Sequence, residues 1–507
     1  MSINSKRIAK NTIFLYARLL LIYGISLYSS RVILDKLGVT DYGLNGVVYG
    51  IIGMLSFLNA TLSSGTSRFI TFDLGKGDKE QLKKTFSTAL YTHFLLAGIV
   101  FVIGETIGLW YVHNVLVCPP ERFFAVRVIY QISIFQTMLA IVQVPFTAEI
   151  MAHERMDIYA YLGIYEALFK LLLVYIISVT AFDRLITLNV LVAVLLVSVF
   201  FFYVLFDRKH FEEVGFKRRF DEKSFKAILT FSGWNIVANI SNTLMRQGVI
   251  MLFNLFFAPV VVAAQNISNQ ISDAMMKFVY GVRQAINPQV IKSYAEGKLE
   301  DSKRLTLESA EYVFDLLLLM GIPLILIMPK FMSIWLVDVP EYAVVFTQLI
   351  ILQDIMGNFS QAFYTPMVAA NKIQKNTYAA VILCVTQFGL MYLLFKLGCG
   401  PVWARWTGIA FAMIWSFIVK PYILWKDINY QWGEMFRCIF RCMRTFAVAG
   451  AICYAITLFI PQDNIFQMFL VAGTTAIVVA IVSLLFMEKN SRQKLITLLQ
   501  QKLHIRR

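Results

Sequence analysis

Long apolar runs, each of about twenty residues, recur from one end of this 507-residue chain to the other. A helix of about twenty residues is long enough to cross the roughly 30 Å hydrocarbon layer of a bilayer. Only 15% of the residues are charged and 58% are hydrophobic, which lies outside the balance of a soluble protein. The pattern therefore predicts an all-α polytopic membrane protein whose first apolar run is a retained span rather than a signal peptide.

The hydropathy pattern predicts about fourteen transmembrane helices. Their approximate ranges are 11–34, 42–70, 85–112, 123–150, 158–181, 185–206, 228–257, 264–291, 307–329, 342–370, 377–397, 405–425, 444–460 and 465–487. The longest connection is charged and follows the sixth range. We therefore expect four parts, which are an N-terminal six-helix lobe at 1–206, a cytoplasmic linker at 207–227, a C-terminal six-helix lobe at 228–425, and a terminal helix pair with a basic tail at 426–507.

A short internal repeat supports two lobes of the same plan. Residues 72–78 (FDLGKGD) resemble residues 294–300 (YAEGKLE), 222 positions later, and each segment lies between the second and third predicted helix of its lobe. Because each lobe has an even number of helices, both repeats would enter the membrane in the same orientation. Transporters use such repeats to place a midplane site between lobes, so we expect alternating access.

Basic residues cluster on alternate connections, with about thirty on one set and about five on the other. By the positive-inside rule the richer set, which includes both termini, faces the cytoplasm. Topology and anionic lipid headgroups explain the net charge of +15 better than nucleic acid does, because the cations are scattered over short loops.

The sequence contains none of the catalytic motifs that would indicate an enzyme. It contains no nucleotide-binding loop, no Ser/His/Asp spacing and no acidic metal cluster in the connections between helices. We therefore expect a protein that is not an enzyme, with no catalytic residues, no cofactor and no metal site.

Three arginines, Arg18, Arg246 and Arg283, lie well inside predicted helices, with no Asp or Glu three or four residues away. A charge at that depth costs at least a few kcal/mol, so it normally faces the bundle interior or a watery cavity. Because a guanidinium donates two parallel hydrogen bonds to phosphate, we predict that these arginines bind the phosphates of a substrate. The alternative is pairing across helices with Asp315 or Asp354.

The seventh and eighth predicted helices carry more amides than helices facing lipid would. They are therefore predicted to line a polar cavity, where amides and one aromatic ring contact sugar. These residues are Asn239, Asn242, Gln247, Asn269 and Tyr280. Since transport without a nucleotide site needs another energy source, the buried acids are predicted to couple ions. They are Asp273, Asp315 and Asp354.

Short motifs follow the first two predicted helices, namely Leu37-Gly38, Tyr42-Gly43-Leu44, Gly65 and Arg68-Phe69. They resemble the start of polysaccharide repeat-unit flippases of the O-antigen and capsule type, within the multidrug/oligosaccharidyl-lipid/polysaccharide (MOP) exporter superfamily. The resemblance implies movement of undecaprenyl-pyrophosphate-linked oligosaccharides, in polysaccharide or lipopolysaccharide biosynthesis, from the inner to the outer leaflet of the bacterial inner membrane. It also implies ion gradients as the energy source, and polysaccharide polymerase and chain-length proteins as candidate partners.

Two alternatives stay open. One is a cation-coupled drug or metabolite exporter of the same superfamily, whose drug-extruding branch usually has twelve helices and uses carboxylates in its lobes. The other is a polyprenyl-dependent polysaccharide polymerase or ligase, which we expect to carry a large outward loop. Since no outward connection here exceeds about a dozen residues, transport is favoured over the enzyme.

Overall fold

The computed structural model describes residues 3–153, 155–214, 220–226, 240–241, 243–488 and 492–493. For 3–21, 56–62, 64, 156–157, 159–160 and 284–285 it describes the backbone only. The described elements are all helical, as the apolar runs predict.

The helices are α1 (Ile3–Gly53), α2 (Ser56–Lys76), α3 (Lys79–Ile103), α4 (Leu109–Asn114), α5 (Phe123–Ala152), α6 (Met156–Val179), α7 (Arg184–His210), α8 (Val249–Phe256), α9 (Pro259–Ala295), α10 (Leu299–Trp335), α11 (Ala343–Ala362), α12 (Tyr364–Ala369), α13 (Gln374–Lys396), α14 (Trp403–Ile414), α15 (Lys420–Ile428), α16 (Trp432–Phe459) and α17 (Ile465–Phe486). Three π-helical turns join helices end to end, at Gly104–Gly108, Leu244–Gly248 and Trp415–Val419.

Ten helical stretches of the described chain are long and apolar enough to span a membrane. They are Lys79–Asn114, Pro120–Ala152, Tyr161–Val179, Arg184–His210, Leu299–Trp335, Ala343–Ala369, Gln374–Lys396, Trp403–Ile428, Trp432–Phe459 and Ile465–Phe486. The protein is an all-α polytopic membrane protein. Of the seventh predicted range, 228–257, residues 228–239 and 242 lie outside the described residues.

The predicted helix at 42–70 is interrupted. Long helix α1 breaks its helical geometry at Gly38, whose φ is +77°, within the connection expected at 35–41. The helical run is interrupted again at Met54–Leu55, inside the predicted range, and α2 begins at Ser56. The apolar pattern misses this second interruption because a two-residue turn leaves mean hydropathy unchanged.

By their internal packing the residues form two compact units. The first comprises 1–263 and 336–340, and the second comprises 264–335 and 341–507. The division into lobes around a linker at 207–227 stays a prediction.

A glycine face of α1 organises part of the first unit. Gly43 and Gly53 lie about 80° apart around the helix, because ten residues make about 2.8 turns, and both face the segment 247–259. A Cβ at Gly43 would lie 2.0 Å from the carbonyl oxygen of Pro259, and one at Gly53 would lie 3.1 Å from the side chain of Gln247. Since glycine lets helices approach closely, α1 packs directly against the segment 247–259.

A buried polar network also joins α1, α5 and α7. Tyr49 Oη donates to Gln136 Oε1 at 2.8 Å, and Gln136 Nε2 donates to the Asn189 carbonyl oxygen at 3.0 Å. Asn189 Nδ2 donates to Asn45 Oδ1 at 2.9 Å. Such hydrogen bonds favour association of helices that would otherwise have to pack in lipid through apolar contacts alone.

Arg122 ties three connections of the first unit together. Its guanidinium binds the Asp41 carboxylate with two hydrogen bonds, of 2.8 and 2.6 Å, and donates to Asp183 at 2.6 Å. Burial alone would raise the pKa of Asp183, but the hydrogen bonds from Arg122 outweigh it and hold that pKa below its usual value. Arg122 therefore has a structural role.

In the second unit the terminal helices α16 and α17 pack on α10 and on each other. Helix α16 begins at Trp432, twelve residues before the predicted span at 444, because Arg437, Arg441 and Arg444 lower the hydropathy of its first turns. Arg441 is nevertheless accommodated, since its guanidinium lies 3.2 Å from Glu311 and 3.0 Å from Glu488.

Candidate anion-binding site

A ladder of polar contacts joins α9 to the helices α11 and α12. Four pairs form it: Ser268 with Thr347 at 3.0 Å, Ser272 with Asp354 at 2.5 Å, Arg283 with Asn358 at 2.7 Å, and Asn287 with Thr365 at 3.1 Å. The partners are always 75 to 82 residues apart in sequence, so the two helical runs are parallel. We call these four pairs the polar ladder.

Arg283 is the cation of this ladder. Its side chain is buried, and Nη2 donates to Asn358 Oδ1 at 2.7 Å. Asn358 is held in turn, because its Nδ2 donates to the Ala310 carbonyl oxygen at 2.9 Å. Arg283 Nε is buried without a hydrogen-bond partner. Within the described part of the chain, Arg283 thus has a neutral amide as its partner and no carboxylate neutralises it.

The acids considered as alternative partners of the arginines have other neighbours. Asp354 accepts a hydrogen bond from Ser272 Oγ and is attracted electrostatically to the positive charge of Arg405. Asp315 lines a groove of about 680 Å³ between α10 and α17, together with Tyr312 and Ser483. Neither carboxylate pairs with Arg283.

Two cations that the sequence analysis did not select are also buried in the second unit. Arg405, the first residue of the predicted range 405–425, lies in the first turn of α14 with its guanidinium 5.5 Å from the centre of the Phe346 ring. Lys420 is 3% exposed, and its Nζ lies 4.7 Å and 4.8 Å from the ring centres of Tyr364 and Trp415. Lys420 has no acid within four residues, so the criterion that singled out Arg283 would have found it.

All three buried cations border the run formed by α11 and α12. Arg405 lies at Phe346, Arg283 at Asn358 and Lys420 at Tyr364. At about 1.5 Å per residue, the eighteen residues from 346 to 364 span about 27 Å. The cations are therefore spread along this helical run, as a cation column, rather than gathered in one cluster, and Arg283 contacts it about 120° around the helix from Arg405.

The remaining predicted residues lie in varied settings. Arg246 is on the π-helical turn of the first unit with an exposed side chain, and Gln247 beside it packs on Gly53. In the second unit Asn269 accepts from Gln265, while Tyr280 is 62% exposed. Asp273 is half-buried on α9. Asn239, Asn242 and the side chain of Arg18 lie outside the described residues.

Solved structures with the same architecture exist. The lipid II flippase MurJ, in an inward closed conformation, is 12% identical with a TM-score of 0.70, and the match covers 94% of this chain and 98% of that chain. An inward-facing multidrug resistance transporter of the MATE family, MOP superfamily, is 13% identical with a TM-score of 0.68, covering 82% and 95%.

The chain has the fold of the MOP superfamily. A MOP transporter from Pyrococcus furiosus, described as having a binding pocket of reversed polarity, matches with a TM-score of 0.58 at 14% identity, covering 82% of this chain and 94% of that one. No family model and no curated protein sequence matches the chain. The fold implied by the resemblance in the first two predicted helices is thus confirmed.

Proposed function

We propose that this protein is a flippase for a lipid-linked oligosaccharide. In this proposal it moves undecaprenyl-pyrophosphate-linked polysaccharide repeat units from the inner to the outer leaflet of the bacterial inner membrane by alternating access. The MOP fold supports a membrane transporter or flippase, and the substrate class follows from the chemistry of the buried side chains.

The charge of Arg283 carries the proposal. A buried guanidinium bonded to a neutral amide keeps its full positive charge, and burying such a charge without a counterion is costly. A phosphate would supply the missing negative charge and accept two parallel hydrogen bonds. We assign Arg283 to the phosphates, with Arg18 and Arg246 as further phosphate ligands.

The column of cations offers an anion successive contacts during its passage. Arg405 and Lys420 extend the positive potential above and below Arg283 along α11 and α12. The amides Asn239, Asn242, Gln247 and Asn269, together with Tyr280, are the proposed sugar contacts. The prenyl chain would remain in lipid, where its hydrocarbon needs no partner.

Binding to purified protein in detergent tests the assignment. The probe is a polyprenyl-pyrophosphate oligosaccharide, compared with the same oligosaccharide on a polyprenyl alcohol. Arg283→Ala should weaken binding of the pyrophosphate probe about ten- to hundredfold, since charge-assisted hydrogen bonds contribute about 1.5–3 kcal/mol. Arg283→Lys should be intermediate because it keeps the charge and loses the planar fork.

Arg304→Ala is the matched control, since Arg304 is exposed and paired with Asp301 at 2.8 Å. It should bind the probe like the wild type. If folded Arg283→Ala binds the pyrophosphate probe as tightly as the control does, Arg283 is not a phosphate ligand. Equal binding of the alcohol probe by wild type would show that phosphate contributes nothing.

A second candidate, a cation-coupled exporter of drugs or metabolites, is favoured by one observation. Asp354 is a buried carboxylate with a hydroxyl partner, a group able to bind a proton or a metal cation. In the flippase proposal Asp354, Asp315 and Asp273 couple transport to an ion gradient. Uptake of cationic drugs into proteoliposomes, without flipping of the lipid-linked probe, would favour the exporter.

A further inference from the structure

A buried group of carboxylates surrounds one histidine in the first unit. His153 Nε2 lies 2.7 Å from Glu213 Oε1 and 3.3 Å from Glu149 Oε1. One potential ligand atom from each of these three residues lies within 4.8 Å of the other two. Asp207, in the last turn of α7, adds a third carboxylate, whose charge interacts with all three residues. Glu154 and 215–219 lie outside the described residues.

Two of these carboxylates are buried without a hydrogen-bond partner. Glu149 and Asp207 are both 0% exposed, and all four of their carboxylate oxygens lack a hydrogen-bond partner. His153 Nε2 has a single proton to donate, and the short contact with Glu213 takes it. Since buried carboxylates are normally paired or coordinate a metal, this arrangement calls for a cation.

The histidine is held so that Nε2 faces the acids. Its ring stacks on Phe211 with centres 4.1 Å apart and planes 10° from parallel. The stacking fixes the ring with Nε2 towards Glu149 and Glu213, and the partly exposed imidazole leaves an entry from the surface.

We propose that Glu149, His153 and Glu213 bind one divalent transition-metal cation. An imidazole nitrogen with carboxylate oxygens suits zinc and its neighbours, whereas calcium and magnesium prefer oxygen ligands alone. Ligand bonds of about 2.0–2.1 Å in a tetrahedron place ligand atoms about 3.3 Å apart. The separations of 2.7 and 3.3 Å require shifts of only a few tenths of an ångström to meet this geometry.

The bound metal would join two pieces of backbone. Glu149 belongs to the last turn of α5 and His153 follows that helix, while Glu213 belongs to the segment that follows α7. These pieces are at the end of the N-terminal helices and at the start of the charged connection 207–227. The site lies in the first unit, whereas the Arg283 site lies in the second, so the metal proposal does not depend on the proposed substrate.

Zinc titration of the full-length protein in detergent, after removal of metal with a chelator, tests the proposal. Calorimetry should give one tight site per chain, and zinc should raise the thermal unfolding temperature. Glu149→Gln and Glu213→Gln should each weaken zinc binding at least tenfold. Because Glu149→Gln removes a buried negative charge without a hydrogen-bond partner, this variant should unfold at a higher temperature than wild type when no metal is present.

His113→Gln is the control, since His113 is exposed and, among the contacts described, bonds only to the Leu109 carbonyl oxygen and meets the Phe123 ring edge to face. It should bind zinc like wild type. Cobalt substitution should give a spectrum without a thiolate charge-transfer band, which separates this site from the Cys438 and Cys442 thiols. Wild-type protein without a tight site, or binding that Glu149→Gln and Glu213→Gln leave unchanged, would overturn the proposal.

Discussion

Two glycines in the motif that follows the first predicted helix have different physical roles. Gly38 adopts a φ of +77°, a conformation that costs side-chain-bearing residues about 1 kcal/mol or more. Gly43 has ordinary helical geometry and is required by space, because the Pro259 carbonyl oxygen lies where its Cβ would be. The resemblance to flippases identified both positions, but neither role follows from the sequence alone.

Gly43→Ala should destabilise the protein. A methyl group 2.0 Å from a backbone oxygen cannot be accommodated by a rotamer change, so α1 must move away from the 247–259 segment, at a cost of about 1–3 kcal/mol. Thermal unfolding in detergent measures the loss. Gly75→Ala is the control, since Gly75 is helical with open space around it and should gain about 0.5–1 kcal/mol. Equal effects of the two substitutions would show that the close approach is absent in solution.

At the scale of helices, the polar ladder sets the register between α9 and its parallel neighbours. Its four pairs differ in strength, because only one contains a guanidinium. Asn358 fills a central position, since it accepts from Arg283 and donates to the Ala310 carbonyl oxygen. Removing it would leave a buried charge without its partner.

Asn358→Leu should therefore cost more stability than a change elsewhere in the ladder. We expect a loss of about 2–3 kcal/mol, because a buried hydrogen bond to a charged group is removed. Thr347→Val removes a hydroxyl from a neutral pair and should cost about 1 kcal/mol. Chemical unfolding of both variants in the same detergent gives the comparison. Losses of equal size would mean that Arg283 finds another partner and that Asn358 is not its anchor.

Helix existence could be predicted from apolar length, while helix ends and joints could not. The ranges predicted from 123–150 to 185–206 match α5, α6 and α7 within a few residues. The shift of 222 residues pairs Gly297 with Gly75, which is helical. The left-handed glycines that end α2 and follow α9 are Gly77 and Gly297, which are 220 residues apart. A comparison of residue identities cannot distinguish a shift of 222 residues from one of 220, because the glycine that ends a helix is defined by its backbone conformation.

For the whole molecule, the sequence analysis found one cation of the second unit and missed two. Arg283 stood out by its isolation, and its amide partner could not be foreseen because Asn358 is 75 residues away. Arg405 is the first residue of its predicted range, where a cation is common, and Glu213 is 60 residues from His153, so that Glu149, His153 and Glu213 form no sequence motif. The number of basic residues on each connection, in contrast, indicates which side of the membrane it faces without any tertiary contact. Topology can therefore be predicted for the full chain.

Cysteine labelling tests that topology in spheroplasts, with the partly exposed Cys118 and Cys399 first replaced by serine. Lys79→Cys and Ile373→Cys lie on connections predicted to be cytoplasmic, and Asp338→Cys on one predicted to face out; all three positions are exposed. An impermeant thiol reagent should label only Asp338→Cys, and permeabilised cells should label all three. Labelling of Lys79→Cys from outside, with Asp338→Cys protected, would invert the orientation. The cation column along α11 and α12 would then be inverted as well, and the proposed export of lipid-linked sugar would have to be reversed or abandoned.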